Sequence, residues 1–281
     1  MRIAIASCAK IQKQAVQPAW KAIEDVRPDL LLLLGDNVYQ NNSKWDGKEL
    51  ELRYQQQMAE PNFASLVSKV PRLAIYDDHD FGPNNVYGVG SSRITPAQKE
   101  KSRALFHKYM NCAPNPPEIY GAKTFGDVKV ILLDERFYRT SPSAKNATVL
   151  GATQEEWFRS EMKSPGVVTL ICSSSPIAAK DQRLDEYPGF LQLLKDVLVT
   201  APRTLLLSGD IHENQFKFHK KLGLFEVTSS GVGRPPILGG DPLDNYGIIE
   251  IDKAQVSIKL SGRRKKDNLS ATIRIDSWKT V

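Results

Sequence analysis

Tyr76–Asn85 reads YDDHDFGPNN and places three carboxylates, one imidazole and two carboxamides within ten residues. Asp77, Asp78, His79 and Asp80 are consecutive, so no helix or strand can turn all four to one face. At the end of the apolar run Leu73-Ala74-Ile75, where a strand turns into a loop, at least two can enter one cleft. Adjacent carboxylates repel one another unless a cation or a strong donor network holds them. The same composition also suits a polar loop in which an Asp caps a helix.

Other polar groups share this placement. Cys8, Asp36, Asp78, Asp134, Ser173–Ser175 and Asp210 each fall at or just after the end of a short apolar run. Surface acids belong on helix faces, whereas ligands of α/β sheets collect where strand ends open into a crevice. Asp210 and His212, two apart in an extended segment, project to one side of it. If Asp36, Asp78, Asp210, His212 and Cys8 share one rim, the site carries excess negative charge and requires cations. Oxygen, imidazole and sulfur donors together point to a transition metal beside a hard, oxygen-binding ion. Two metals roughly 3.5–4 Å apart on a shared carboxylate suit displacement at phosphorus.

The elements that must position these residues follow from periodicity. Arg2–Ser7 reads as a strand, and apolar residues from Ile11 to Val26 recur at helical spacing, with Pro18 as the place where a helix can begin. Asp29–Leu34 is too short for an independent helix and suits a strand buried on both faces, completing a βαβ unit. Lys48–Met58 and Asn62–Ser68 read as helical, Pro71–Tyr76 as a strand, and Thr95–Met110 as a helix with Thr95 as cap and Pro96 first. Ile119–Phe125 and Val128–Leu133 form a hairpin across Gly126-Asp127, after a linker at Asn115–Pro117. Thr153 with Glu156 suggests a capping box. Val167–Cys172 and Thr204–Leu207 are strands flanking a helix over Pro188–Val199. Leu224–Val227, Ile248–Ile251, Val256–Leu260 and Thr272–Ile275 are strands with no helix between them.

Bulk properties narrow the function. With 281 residues, 41% hydrophobic and 25% charged, the chain can bury a large core without staples. The formal charge is +6, but the single turn Arg263-Arg264-Lys265-Lys266 supplies four positive charges, and no broad basic face with interleaved aromatics suggests nucleic acid. Cys8, Cys112 and Cys172 are odd in number and lack a C-x-x-C, which suits a reducing compartment; Cys112 and Cys172 read as structural. The N-terminus reads as a strand rather than a signal peptide, and no run reaches the ~18 apolar residues of a membrane span, so a cytoplasmic location is expected. P-loop, dinucleotide and nucleophile-elbow motifs are missing, and His212-Glu213-Asn214-Gln215-Phe216 lacks the second histidine of a zincin.

The ordered set Ser7-Cys8, Gly35-Asp36-Asn37-Val38-Tyr39, Tyr76-Asp77-Asp78-His79-Asp80 and Gly209-Asp210-Ile211-His212 resembles the alkaline phosphatase D (PhoD-like) metallophosphatases of the calcineurin-like superfamily. Leu133-Asp134 with Arg136 and Arg139, and Leu150-Gly151, Gln154 and Trp157, support it. The resemblance spans roughly the first 215 residues. Tyr76 stands where many relatives carry Trp, and the family's usual secretion signal and accessory domain are not found at the start.

The resemblance implies one domain over residues 1–281, an α/β fold with four α/β/β/α layers built from two mixed sheets. It implies metal ligation by Cys8, Asp36 as shared carboxylate, Tyr39 as phenolate, Asp78, Asp210 and His212. Without the resemblance, Cys8 reads as a small buried hydrophobe and Tyr39 equally as a packing residue. His79 takes the place of general acid or donor to the phosphate, with Asp80 orienting the imidazole; Asp77 has the weaker claim. Arg136 and Arg139 either grip phosphate as a fork or pair with Asp134 or Glu135, and Asn84 or Asn85 either reaches the site or serves the loop.

Ferric iron with calcium is what the resemblance suggests, while the residues alone also admit zinc, manganese or iron with magnesium. The expected reaction is hydrolysis of a phosphate ester, with metal-bound hydroxide attacking in line. A phosphodiesterase and a metal-dependent binding protein for phosphorylated ligands are the rival expectations.

Overall fold

The computed structural model describes residues 1–40, 46–110, 116–180, 183–233 and 243–281. In chain order the elements begin β1 (Arg2–Ala6), α1 (Pro18–Asp25), β2 (Leu30–Leu34), α2 (Lys48–Ala59), α3 (Pro61–Lys69) and β3 (Arg72–Ile75). Next come α4 (Asp78–Phe81), α5 (Pro96–Met110), β4 (Gly121–Phe125), β5 (Val128–Leu132), α6 (Ala152–Glu161), β6 (Val168–Cys172) and α7 (Pro188–Leu198). The last part is β7 (Thr204–Ser208), β8 (Gln215–His219), β9 (Leu224–Thr228), β10 (Tyr246–Ile251), β11 (Gln255–Ser261), β12 (Leu269–Arg274) and β13 (Lys279–Thr280).

Two mixed sheets result, as expected. One has the order β13-β12-β11-β10-β1-β2-β3, with β1, β2 and β3 parallel and the other neighbours antiparallel. The second has the order β4-β5-β6-β7-β9-β8, with a parallel centre and antiparallel edges.

Strand alternation explains the layers. Along β2, Leu30, Leu32 and Leu34 join the core between the sheets, while Leu31 and Leu33 face the helices. That is why five consecutive leucines are all buried. From the second sheet, Val130, Leu132, Leu170 and Leu207 meet them, and Ile131, Ile171 and Leu206 turn outward onto α6 and α7. The helices α1, α2, α3 and α5 cover the other outer face through Trp20, Leu50, Tyr54, Phe63, Leu66 and Phe106. The order is therefore α/β/β/α.

The helix after β1 starts at Pro18, and the Ile11 region is a turn. Thr95 does cap α5, exchanging bonds with Gln98 (3.2 and 2.9 Å). Thr153 does not cap α6: Gly151 precedes the helix, whose earlier start turns Gln154 inward to bond the Asp134 amide and carbonyl (both 2.8 Å). The edge strands β8 and β13 are additional. Cys112 and Asn115 lie outside the described residues. No helix among the described residues is long and apolar enough to cross a membrane.

Candidate metal centre

The first turns after β1, β2, β3 and β7 meet at one rim. The Cys8 and Ala9 amides bond Gly35 and Asp36 carbonyls (3.2 and 2.9 Å), and the Gly231 and Val232 amides bond the Ser7 carbonyl (3.1 and 3.0 Å). Both G-D motifs need their glycine for close approach. A Cβ on Gly35 would lie 2.6 Å from the Asp77 Cβ, and one on Gly209 would lie 2.6 Å from the Leu34 carbonyl oxygen.

Cys8, Asp36, Asp210 and His212 all have left-handed backbones, with φ of 63°, 52°, 68° and 54°. Such conformations cost about 1 kcal/mol or more each without glycine and gather at functional sites.

Three groups of donor atoms lie mutually within 4.8 Å: Cys8, Asp36 and His212; Asp36, Asp78 and His79; and Asp36, Asp77, Asp78 and Asp210. Asp36 belongs to all three. Its carboxylate accepts from the Cys8 thiol (3.5 Å) and the His79 amide (3.3 Å). The Tyr39 hydroxyl is 3.3 Å from His212 Nε2, and its ring contacts that of His79 with centroids 4.2 Å apart. Cys8, Asp36, Tyr39, Asp78 and His79 are buried, while Asp210 and His212 are half-buried.

The residues fit cations. Burial, then repulsion from Asp78, Asp77, Asp80 and Asp210, pushes the Asp36 carboxyl well above the usual range. Burial, then Asp77 and Asp78, does the same to Asp210, opposed by Arg136 and Arg139. Burial, then Asp36 and Asp210, raises the Cys8 thiol, opposed by the Ser230 hydroxyl. In this setting their ionised forms demand positive charge beyond what the side chains provide.

Two expectations need correction. Asp80 does not orient the His79 imidazole. Its carboxylate instead accepts from the Asn37 amide and side chain, the Val38 and Asp77 amides and the Tyr54 hydroxyl (3.0–3.2 Å), clamping the loop that carries Asp36. Burial raises this carboxyl to about 7 against the pull of those donors. His79 Nδ1 lies 3.3 Å from the Gln40 carbonyl oxygen. A carbonyl only accepts, so Nδ1 carries the hydrogen in this contact.

Second, Arg136 is not an open phosphate fork, nor is its partner Asp134 or Glu135. Its Nε and Nη2 converge on Asp77 Oδ1 (2.6 and 2.5 Å), with both side chains 1% exposed. Although burial opposes its charge, Asp77, Asp78 and Asp210 hold the guanidinium firmly ionised. The acid nearest the crowded cluster has claimed the cation. Asn85 is exposed at the rim, and its backbone amide donates to Asp78 Oδ2 at 2.5 Å while its side chain accepts from Asn84 at 2.7 Å.

Arg139 is buried against Tyr187, bonding its hydroxyl (3.1 Å) and Ser175 Oγ (3.0 Å). Asp134 is internal, accepting from the Tyr76 hydroxyl (2.6 Å) and the Arg136 and Phe137 amides (3.0 Å). Glu135 accepts from Ser173, Ser174 and the Ser175 amide, so the serine cluster after β6 supports the wall. Sequence reasoning missed Ser230, which donates to Cys8 Sγ (3.2 Å) and accepts the His212 amide (2.9 Å). The strand-end rule applied after β9 would have found it. It also undervalued Asp77 and missed Tyr54, whose position on a helix carries no signal.

The face-to-face sheets share the fold of solved phosphatase structures, and the donor cluster lies at their strand ends. The chain belongs to the PhoD-like phosphatase family, whose profile matches residues 3–228, and is a metallophosphatase. A solved structure of PhoD is similar over 100% of this chain and 71% of that chain, at 17% identity and TM-score 0.76. A dimetal phosphatase from Danio rerio shares 13% identity at TM-score 0.63, covering 96% of this chain and 98% of its own. The purple acid phosphatase PPD1 of yellow lupin (Lupinus luteus) shares 13% identity at TM-score 0.67, covering 98% and 53%. No curated protein matches the chain in sequence.

Proposed function

We propose that the protein hydrolyses phosphate monoesters at a multinuclear site held by Cys8, Asp36, Tyr39, Asp78, Asp210 and His212, with Asp77 as a further carboxylate. The observation that carries this reading is the membership of Asp36 in all three donor groups. A shared carboxylate is what a paired-metal site requires. Bound cations would supply Lewis acidity and make water a competent nucleophile; iron(III) with calcium is the pair proposed, on family likeness. The sulfur and imidazole donors near Asp36 suit the softer ion, and the carboxylates Asp77, Asp78 and Asp210 suit the harder one.

The chain's own groups divide the remaining work. His79 delivers a proton from Nε2 to the departing ester oxygen, its ring held by the Gln40 carbonyl. Asp80 fixes the loop carrying Asp36. Arg136 neutralises part of the cluster through Asp77. Arg139, packed on Tyr187 and Ser175, is the arginine proposed for substrate phosphate, and Asn85, whose backbone amide bonds Asp78, is the proposed rim amide.

A chromogenic monoester and the matching diester, assayed with the metal-loaded protein, test the reading. Turnover of the monoester, with turnover in His79→Ala falling about 10²–10⁴-fold while metal stays bound, is the expected result. Preference for the diester would make it a phosphodiesterase. Metal-dependent binding of the ester without turnover would make it a binding protein.

A further inference from the structure

Arg263-Arg264-Lys265-Lys266, which alone supplies four of the positive charges, lies between β11 and β12, beyond the family profile's end at residue 228. Three of the four cations are matched by acids. Arg263 Nε bonds Asp244 (2.5 Å), Arg264 Nε bonds Asp267 (2.5 Å), and Lys266 pairs with Glu213. Such matching does not make an anion-binding rim.

The partners of the turn concentrate on the loop after β7. Arg264 Nη2 donates to the His212 carbonyl at 2.9 Å and to Asp267 Oδ1 at 3.0 Å. Asp267 is 1% exposed, and the Asn214 side chain donates to the carbonyls of Ser261 and Asp267 (both 2.9 Å). Asn268 closes the turn on Gly262 and Arg264 carbonyls (2.8 and 3.0 Å). Asp210 and His212 both hold left-handed backbones in this short loop, which local preference opposes. On one side the His212 amide is held by Ser230; on the other its carbonyl is held by Arg264.

We propose that the Arg264–Asp267 clasp is a positioning device for His212, fixing its peptide so that the imidazole stays beside Tyr39, Cys8 and Asp36. Arg264 acts through His212 and touches no reacting atom. A planar fork is needed, because one guanidinium must satisfy both oxygens of a buried carboxylate and a carbonyl together. The proposal rests on His212 as a cation ligand, as given under the proposed function.

Zinc(II) titration of the metal-stripped protein, followed by calorimetry, tests it in wild type, Arg264→Lys, Arg264→Ala, Lys265→Ala and His212→Ala. Melting of each metal-free protein runs beside it. Both Arg264 variants should bind zinc about 10–100-fold more weakly, the usual consequence of losing a support behind a ligand. Lys265→Ala should match wild type. Melting that falls while zinc affinity holds would make the clasp structural and overturn the proposal. Should Arg264→Ala fail to fold, Arg264→Lys decides, since it keeps the charge and loses the fork. Unchanged affinity in His212→Ala would instead remove the ligand assignment itself.

Discussion

At Asp77, two guanidinium nitrogens share one carboxylate oxygen. Breaking a buried pair strands a charge, so Arg136→Met should cost the metal-free protein roughly 3–5 kcal/mol in chemical denaturation. A loss below about 1 kcal/mol would place Asp77 in a better-solvated setting than its burial indicates. The Asp80 carboxylate makes a separate prediction. Because it holds the Asn37 and Val38 amides rather than the imidazole, Asp80→Asn should weaken metal retention and leave the protonation limb of His79 in the pH–rate profile in place. A profile that moves at unchanged metal content would return Asp80 to the imidazole.

Among the elements, the strand ends do most of the positioning. β1, β2, β3 and β7 were legible because their apolar runs are short, buried on both faces and stopped by polar residues. Asp36, Asp78 and Asp210 could be placed at the rim from that pattern, whereas a ligand role for Cys8 came only from the family resemblance. What the pattern hides is the partner across the cleft. The Asp77–Arg136 pair joins residues 59 apart, and Asp80–Tyr54 joins α4 to α2 across 26 residues, so neither leaves a local trace. β8 was missed because Gln215–His219 is a half-exposed edge strand without a continuous apolar run. Gly209 offers a test at this scale. A Cβ there would press on the Leu34 carbonyl, so Gly209→Ala should lower stability by about 1–3 kcal/mol and reduce metal content together. Undiminished metal binding in that variant would mean that the β7 loop tolerates displacement.

For the whole molecule, the four layers form a frame on which a repelling cluster is held in place. In the metal-free fold Asp36 and Asp210 ionise above their ordinary range and Asp80 at about 7, against an unfolded value of about 4. The native state then binds more protons than the unfolded one, so these groups stabilise the fold at low pH; the Asp80 contribution is lost as pH rises from about 4 through about 7, and those of Asp36 and Asp210 as pH rises through their raised folded values. Cations bind the deprotonated ligands and reverse the trend. The gap in melting temperature between metal-loaded and metal-stripped protein should therefore widen from about pH 5 to about pH 8. A constant gap would argue against carboxylate ligation. The shared role of Asp36 is tested most directly by counting metal ions per chain in the wild type and in Asp36→Ala. Two or more ions in the wild type, with both kinds depleted together by the one substitution, is the predicted result. An Asp36→Ala protein that keeps the full complement would contradict a site built around that carboxylate.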